Sequence, residues 1–308
     1  MTKDSTGPDP SRGWDDFWSK DHRQRGNGGC LPDGAGGIED VQKREWQGFA
    51  NTLPRKPRIL DLATGDGRVM RWIGAVRPDA RLVGVDQAKV LPEPPRGTKI
   101  RNGVAIEALP FNDCWFDAVV SQFGFEYADV TKAAQEIARV LKPEGVAALL
   151  THRPDGPIVA HNRARRHQII WALDEAKLIE QAKGSLSLRR VGTSPIVPPT
   201  LAAAPVEGAR RFGPRSAAWE IAEAVRRSLA DGNQTAVRIA AILDGITRQA
   251  RSEIARLHSL EQAAANFERP GAFPELLTEA GLVQADVKTL TDKSSSIPFA
   301  DFRTIRHI

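Results

Sequence analysis

The sequence is poor in residues that staple a chain or ligate a metal. Its two cysteines, Cys30 and Cys114, lie far apart and form no C-x-x-C pair. That excludes a disulfide framework and a cysteine zinc site, and it fits a reducing compartment. The six histidines and the acids show no metal-ligand spacing, so no metal is expected. No apolar run approaches the roughly 20 residues of a membrane span, and the opening MTKDSTGPDPSRG lacks a hydrophobic signal segment. A soluble, cytoplasmic protein is the expectation. Neither sign of charge dominates: 43 Lys and Arg face 38 Asp and Glu, a net +5. Residues 151–269 hold 18 basic against 12 acidic residues and so carry the surplus. A surplus this small reads as an arginine-rich helical surface, not as a nucleic-acid footprint. What is present in quantity is apolar: 41% of 308 residues, with seven tryptophans against one tyrosine. That is ample for a sizeable core in one large or two modest domains.

The chain is organised around Arg58 to Asp86, RILDLATGDGRVMRWIGAVRPDARLVGVD. Ile59 to Leu62 is a short apolar run entered from Pro57, as expected of a strand covered on both faces. Ala63-Thr64-Gly65-Asp66-Gly67 then turns tightly, and its glycines let backbone N–H groups approach a ligand. Val69, Ile73 and Val76 line one side of the following helix, which Pro78 stops. Arg81 to Val85 is the second strand. Asp86 at its tip is placed to grip a ribose diol, about 20 residues after the glycines.

A dinucleotide site wants G-x-G-x-x-G with pyrophosphate on the helix N-terminus. Here the third glycine position holds Met70, and the carboxylates Asp61 and Asp66 would repel a pyrophosphate. They suit a cation, and S-adenosylmethionine (SAM) carries a sulfonium and an α-ammonium. An ordinary βαβ turn with no ligand is the bland alternative. Asp61-x-Ala63-x-Gly65-x-Gly67 resembles the acidic-x-G-x-G-x-G motif of class I SAM-dependent methyltransferases, with Ala63 at the first glycine, as in the ubiquinone/menaquinone-type branch (methyltransferase type 11). Further landmarks carry the resemblance. They are Glu107-Ala108-Leu109-Pro110-Phe111, the FDAVVS strand at 116–121 with the loop Gln122 to Tyr127, and Lys142-Pro143-Glu144-Gly145 before a strand at Val146 to Thr151. It covers residues 57–152. The fold it implies is α/β, Rossmann-like and doubly wound, with a mostly parallel seven-stranded sheet. A closing hairpin of Val283 to Leu290 and Phe299 to Ile305 is what a plain dinucleotide fold lacks.

Four segments are expected: an N-terminal lid or helical segment at 1–56, the SAM-binding core at 57–152, a helical cap inserted after strand five at 153–270, and a helix and hairpin returning to the core at 271–308. In the first, Trp14-x-x-Phe17-Trp18 resembles the family's W-x-x-F-W opening, which folds over the cofactor or substrate mouth; simple docking on the core is the other reading. Residues 26–37 are a glycine-rich loop, the hinge of such a lid, and Ile38 to Leu53 is a helix. A third strand is expected at Ile100 to Ile106. Within the insertion, Ile158 to Ala182, Trp219 to Leu229 and Gln234 to Phe267 read as helices and Gly184 to Arg215 as a loop. The insertion reads as a cap over the active-site edge or as a dimerisation arm.

By resemblance the cofactor contacts fall on Asp61, Ala63, Thr64, Gly65, Gly67, Asp86, Gln87, Glu107, Ala108, Leu109, Gln122 and Phe123. The family's adenine-binding acid falls on Ala105 here, which leaves Glu107 or a backbone group for that contact. Methyl transfer is an in-line displacement that needs positioning and in some cases a base. His152, directly after strand five, is the candidate base, with a strand-capping histidine as the alternative. Glu126 and Tyr127 are candidates for orienting an acceptor hydroxyl or amine. His161 and His167 stand in the first insertion helix. Phe123, Phe125 and Trp171 offer aromatic surface, and Arg163, Arg165 and Arg166 suit an anionic substituent. The reading is a SAM-dependent methyltransferase, acting on oxygen or nitrogen of a small organic acceptor and yielding S-adenosylhomocysteine. It is taken as a monomer or homodimer, without a membrane or nucleic-acid partner. The alternatives are an RNA-directed enzyme, whose expected [DNS]-P-P-[YFW] loop is QFGFEY here, and a non-catalytic SAM-binding partner subunit.

Overall fold

A computed structural model of the chain describes Trp14, Trp18 and residues 36–189, 196–269, 271–292 and 297–308. Phe17, Cys30, Arg190, residues 26–35 of the loop expected at 26–37 and the residues 293–296 between the hairpin strands lie outside them, while Gly36 and Gly37 open a helix. The chain divides into two compact units, Met1–His161 with Ser259–Ile308, and Asn162–His258. No helix among the described residues is long and apolar enough to cross a membrane.

The first unit is α/β. Helix α1 (Gly36–Asn51) leads to β1 (Arg58–Leu62), α2 (Arg68–Val76), β2 (Arg81–Asp86), β3 (Lys99–Asn102) and β4 (Phe116–Gln122). A 3₁₀ turn at Phe125–Tyr127, α3 (Val130–Val140), β5 (Leu141–His152) and α4 (Pro157–Ile170) follow. One sheet of seven strands runs in the order β3-β2-β1-β4-β5-β7-β6, where β6 is Leu282–Thr291 and β7 is Pro298–His307. Strands β1 to β5 are parallel, and β7 is antiparallel to both of its neighbours. This is the doubly wound, mostly parallel sheet with a closing hairpin that the sequence led us to expect.

The apolar runs of β1, β4 and β5 are explained by burial on both faces. Ile59, Ala118, Val120, Ala148 and Leu150 face a core shared with Trp46, Phe49 and Ile73. Leu60, Leu62, Val119, Ala147 and Leu149 face the other core, shared with Ile137, Phe273 and Leu277. On α1, Trp46 is fully buried and meets Phe49 and Phe302 edge-on, at 6.2 and 4.9 Å between ring centroids. Helix α3 is capped by Asp129, whose side chain accepts from Lys132 N at 3.3 Å. Parallel strands that end together place the ends of β1, β2, β4 and β5 along one sheet edge, where ligands of open α/β sheets bind.

Three expectations are corrected. The third strand is only Lys99–Asn102; Gly103, at φ 69°, turns the chain out of the sheet. Strand β5 begins at Leu141 and takes in Lys142-Pro143-Glu144-Gly145, with a register shift against β4 between Phe116 and Ala118. A bulge accommodates the proline that reads as a break in the sequence. The expected loop at Gly184 to Arg215 contains instead the end of α5 (Leu178–Arg189) and all of α6 (Pro199–Phe212). Pro199 starts that helix at a position where a missing N–H costs nothing. Pro205 lies inside it, and the buried face of Leu201, Ala204, Pro205 and Gly208 overrides the local penalty.

The second unit is helical, with most of α4, all of α5, α6 and α7 (Ala217–Ala230), and most of α8 (Ala236–Ala265). Its core joins Trp171, Leu173, Leu178, Leu201, Ala218, Val225, Leu243 and Leu257. A side chain at Gly208 would meet the backbone N of Trp219 at 3.1 Å, so α6 and α7 lie backbone to backbone. Arg165 is tied to Glu253 at 2.7 Å and Glu220 at 3.1 Å. Trp171 meets Phe212 at 5.6 Å.

The two ends of the α/β unit that flank residues 162–258 meet in a small buried cluster of Val159, Leu260 and Ala264. A short linker replacing 162–258 should therefore leave an α/β unit with one cooperative denaturant transition, followed through buried Trp46. A non-cooperative, ANS-binding product would show that the unit does not hold by itself.

Candidate active site

The glycine turn between β1 and α2 is built from left-handed residues. Ala63, Gly65 and Gly67 have φ of 50°, 53° and 69°. Phe123, just after β4, stands at φ 53°. The remaining non-glycine residues in this conformation among those described, Lys56, Cys114, Lys177 and Arg215, are exposed turn residues. Ala63 and Phe123 instead line a cavity, and backbone strain costing about 1–2 kcal/mol each is concentrated where the strands end. Gly124 permits that packing, since a Cβ there would lie 2.4 Å from the Cβ of Ala63.

The cavity, of about 220 Å³, opens along this sheet edge. It brings together Asp61, Ala63, Thr64, Gly65, Asp86, Gln87, Glu107, Gln122, Phe123, Tyr127 and His152 of the residues singled out in sequence. Trp14 and Trp18 also line it. The Trp18 ring lies on the turn, so close that a Cβ on Gly65 would be 2.3 Å from it. Trp14 meets Tyr127 edge-on at 5.4 Å.

Asp86 joins the turn to β2. Its carboxylate accepts from Gly65 N at 2.9 Å and from Ala88 N at 2.8 Å. Asp61 lies deeper and accepts the Thr64 hydroxyl at 2.6 Å. Burial pushes the Asp61 carboxyl up to about 7; the Thr64 bond opposes this, while the charges of Asp86 and Asp66 add to it. Asp66, in the same lining, pairs with Arg68 at 3.0 Å. Three acids in one lining give the cavity acidic character, the chemistry that suits a cationic ligand.

On the β5 side, His152 ends the strand opposite Ala300. Its ring Nδ1 lies 2.8 Å from Glu126 Oε1, and its backbone N–H donates to the same oxygen at 3.0 Å. Glu126 is fully buried, its main-chain carbonyl accepts from Asn266 Nδ2 at 3.0 Å, and its Oε2 has no partner among the described residues. The guanidinium of Arg303, itself pushed down by burial, interacts with the Glu126 charge. The His152 ring stacks on Phe123 at 4.1 Å.

Four residues from the expected set lie outside the lining. Gly67 caps α2 and faces Pro95, which a Cβ there would meet at 2.6 Å. Ala108 is exposed. Leu109 is buried in the sheet's second core, with its N–H bonded to Glu136 at 2.6 Å. Glu126 stands behind His152 and does not line the cavity, which changes its expected role from substrate contact to histidine partner. Phe125 also turns away, stacking on Phe267 at 6.4 Å in that core. His161 is absent from the lining as well. Sequence reasoning missed Gln42, a buried lining residue. The available signal was a polar residue inside the apolar stripe Ile38, Val41, Trp46, Phe49 of α1.

Comparison with known proteins gives a family and relatives. Residues 60–149 match a family model described as a methyltransferase domain. A demethylmenaquinone methyltransferase of Thermus thermophilus is 39% identical over 105 residues, covering 32% of this chain and 48% of that protein. The ubiquinone/menaquinone biosynthesis C-methyltransferase UbiE of Geotalea uraniireducens is 37% identical over 121 residues, covering 35% of this chain and 52% of that protein. The chain thus spans about half the length of the curated relatives it matches. Among solved structures, an S-adenosylmethionine dependent methyltransferase from Mesorhizobium loti is 15% identical with a TM-score of 0.41, over 85% of this chain and 97% of that one.

The Asp61 carboxyl sets a pH dependence for a cationic ligand. Below about pH 7 it holds a proton in the ligand-free protein, whereas a cation favours the carboxylate. Affinity for SAM should therefore fall as pH drops through 7, by up to about tenfold per unit, and level off above it. Calorimetry between pH 5.5 and 8 reads this directly, and in Asp61→Asn the affinity should be weak and flat across the range.

Proposed function

We propose that this chain, which belongs through residues 60–149 to the class I SAM-dependent methyltransferases, methylates the oxygen or nitrogen of a small planar acceptor in the cavity at the sheet edge. The observation that carries the reading is the His152–Glu126 pair facing a glycine-turn cavity with aromatic walls.

The lining fits the cofactor. The raised carboxyl of Asp61 suits an α-ammonium, and Asp86 stands where a ribose would be held. When bound, SAM supplies a methyl group made electrophilic by the sulfonium. The chain's own work is to hold the acceptor in line and to take its proton. Glu126, as a carboxylate, is acceptor only, so the His152 nitrogen facing it carries the hydrogen and Nε2 is left basic. Nε2 is placed to take the proton of the acceptor O–H or N–H, which would free that atom's electron pair for the methyl group that SAM would supply, with S-adenosylhomocysteine as the leaving group. The imidazolium formed is stabilised by the Glu126 carboxylate, and its proton leaves to water. Phe123 stacks flat on the imidazole at 4.1 Å, which limits its rotation. Trp14, Trp18, Phe123 and Tyr127 supply the apolar contact that favours a planar acceptor over a polymer.

A second reading is favoured by the curated relatives, one of which is a C-methyltransferase of ubiquinone and menaquinone biosynthesis. Removing the proton of a ring hydroxyl enriches the adjacent ring carbon as well as the oxygen. The same base therefore serves carbon methylation of a hydroquinone-type ring.

The test follows a labelled methyl from SAM into a metabolite extract and, in parallel, into total RNA. Label in small molecules supports the proposal, and mass spectrometry of the product separates oxygen, nitrogen and carbon. Label in RNA overturns it, and label in neither favours a SAM-binding subunit without catalysis. On an identified acceptor, His152→Ala should lower turnover by roughly 10²- to 10⁴-fold with SAM affinity unchanged. Glu126→Gln keeps an acceptor for both hydrogen bonds but removes the charge, and it should cost roughly 10- to 100-fold in kcat. Near-normal turnover in both variants would leave positioning alone as the catalytic device.

A further inference from the structure

Helix α1 delivers a donor to the cavity through a chain of hydrogen bonds with only one possible direction. Trp46 Nε1 lies 2.7 Å from Gln122 Oε1, and an indole N–H can only donate. The Gln122 atom facing it must therefore be the amide oxygen. That leaves the Gln122 NH₂ directed at Gln42, whose facing atom, at 3.4 Å, must in turn be its oxygen. The Gln42 NH₂ is then the free end of the relay. Gln42 is 1% exposed, it lines the cavity, and its Nε2 has no partner among the described residues. An amide donor buried without an acceptor costs about 1–3 kcal/mol. A ligand that brings an acceptor removes that cost.

We infer that Gln42 binds the α-carboxylate at the methionine end of the cofactor, an assignment that rests on the SAM-binding reading above. The acids Asp61 and Asp66 line the same cavity and call for the cationic parts of a ligand. A neutral amide donor beside the end of β4 accepts the negative part of the same zwitterion without adding a competing charge. Gln122 holds the adjoining position, since β4 pairs with β1 through Ser121 and Leu62, next to the turn that Asp61 precedes. The fully buried Trp46 anchors the relay to the core, so the donor is set before any ligand arrives.

Calorimetry on the full chain tests this with three probes: SAM, S-adenosylhomocysteine and 5′-methylthioadenosine, which lacks the amino-acid end. Gln42→Leu should weaken both amino-acid-bearing probes about 10- to 100-fold and leave methylthioadenosine within about twofold. Gln42→Glu keeps an oxygen for Gln122 but turns a carboxylate on the ligand's carboxylate, and it should weaken SAM more than Gln42→Leu does. A thermal melt accompanies each variant, and if Gln42→Leu fails to fold, Gln42→Glu decides by the same contrast, weakening both amino-acid-bearing probes while leaving methylthioadenosine within about twofold. Equal loss for all three probes would mean that Gln42 only shapes the cavity and would overturn the assignment. Unchanged affinity for SAM would overturn it as well. Failure of the unaltered chain to bind SAM would bring down the cofactor reading, and the assignment with it.

Discussion

The site depends on the carboxylate of Asp86. It accepts one hydrogen bond from Gly65, 21 residues earlier, and another from Ala88. These bonds fasten the left-handed turn to the tip of the neighbouring strand. Around that fastening the parallel pairing of β1 with β2 and β4, and of β4 with β5, sets every other element of the edge. A turn of alternating left-handed residues would not hold its shape by itself, and Ala63 in it is strained. The buried acceptor makes the strained conformation the one in which the backbone donors are satisfied.

The cavity combines two walls of opposite chemical character. One carries Asp61, Asp66 and Asp86 and stabilises positive charge, at a cost that shows in the raised Asp61 carboxyl. The other joins His152 to the buried Glu126 beneath aromatic surface. A buried carboxylate is expensive unless it is partnered. Glu126 has the His152 backbone N–H, the ring nitrogen and the nearby Arg303 charge to stabilise it. Arg303 is itself held by Asp301 at 2.7 Å, which in turn meets Arg153 at 3.1 Å. The dyad is thus the inner end of a charge network along β5 and β7.

Much of this was legible in order along the chain. The β1–α2–β2 unit announces itself through a buried run, glycines and an acid at fixed spacing, because each residue type answers a local backbone demand. The closing hairpin was legible from the apolar runs at Val283 to Leu290 and Phe299 to Ile305. Helix α6 was not, since its two prolines argue against a helix locally and only the buried face of Leu201, Ala204 and Gly208 makes one there. The short β3 was also overread, because an edge strand has no second partner to extend it beyond Gly103.

The sequence by itself determined the fold class and the glycine turn at the end of β1, because local spacing and strand burial leave a direct mark on residue type. Tertiary structure alone decided which groups act together. That Glu126 faces His152, 26 residues on, and that Trp46 orients Gln122, 76 residues on, follows from strand register and helix docking. Adjacent residues in the loop after β4 were assigned by sequence to one face, yet Phe123 lines the cavity while Phe125 enters the core. A left-handed residue followed by a 3₁₀ turn rotates successive side chains in ways that no periodic pattern encodes, and the direction of a side chain is what separates a substrate contact from a partner behind it.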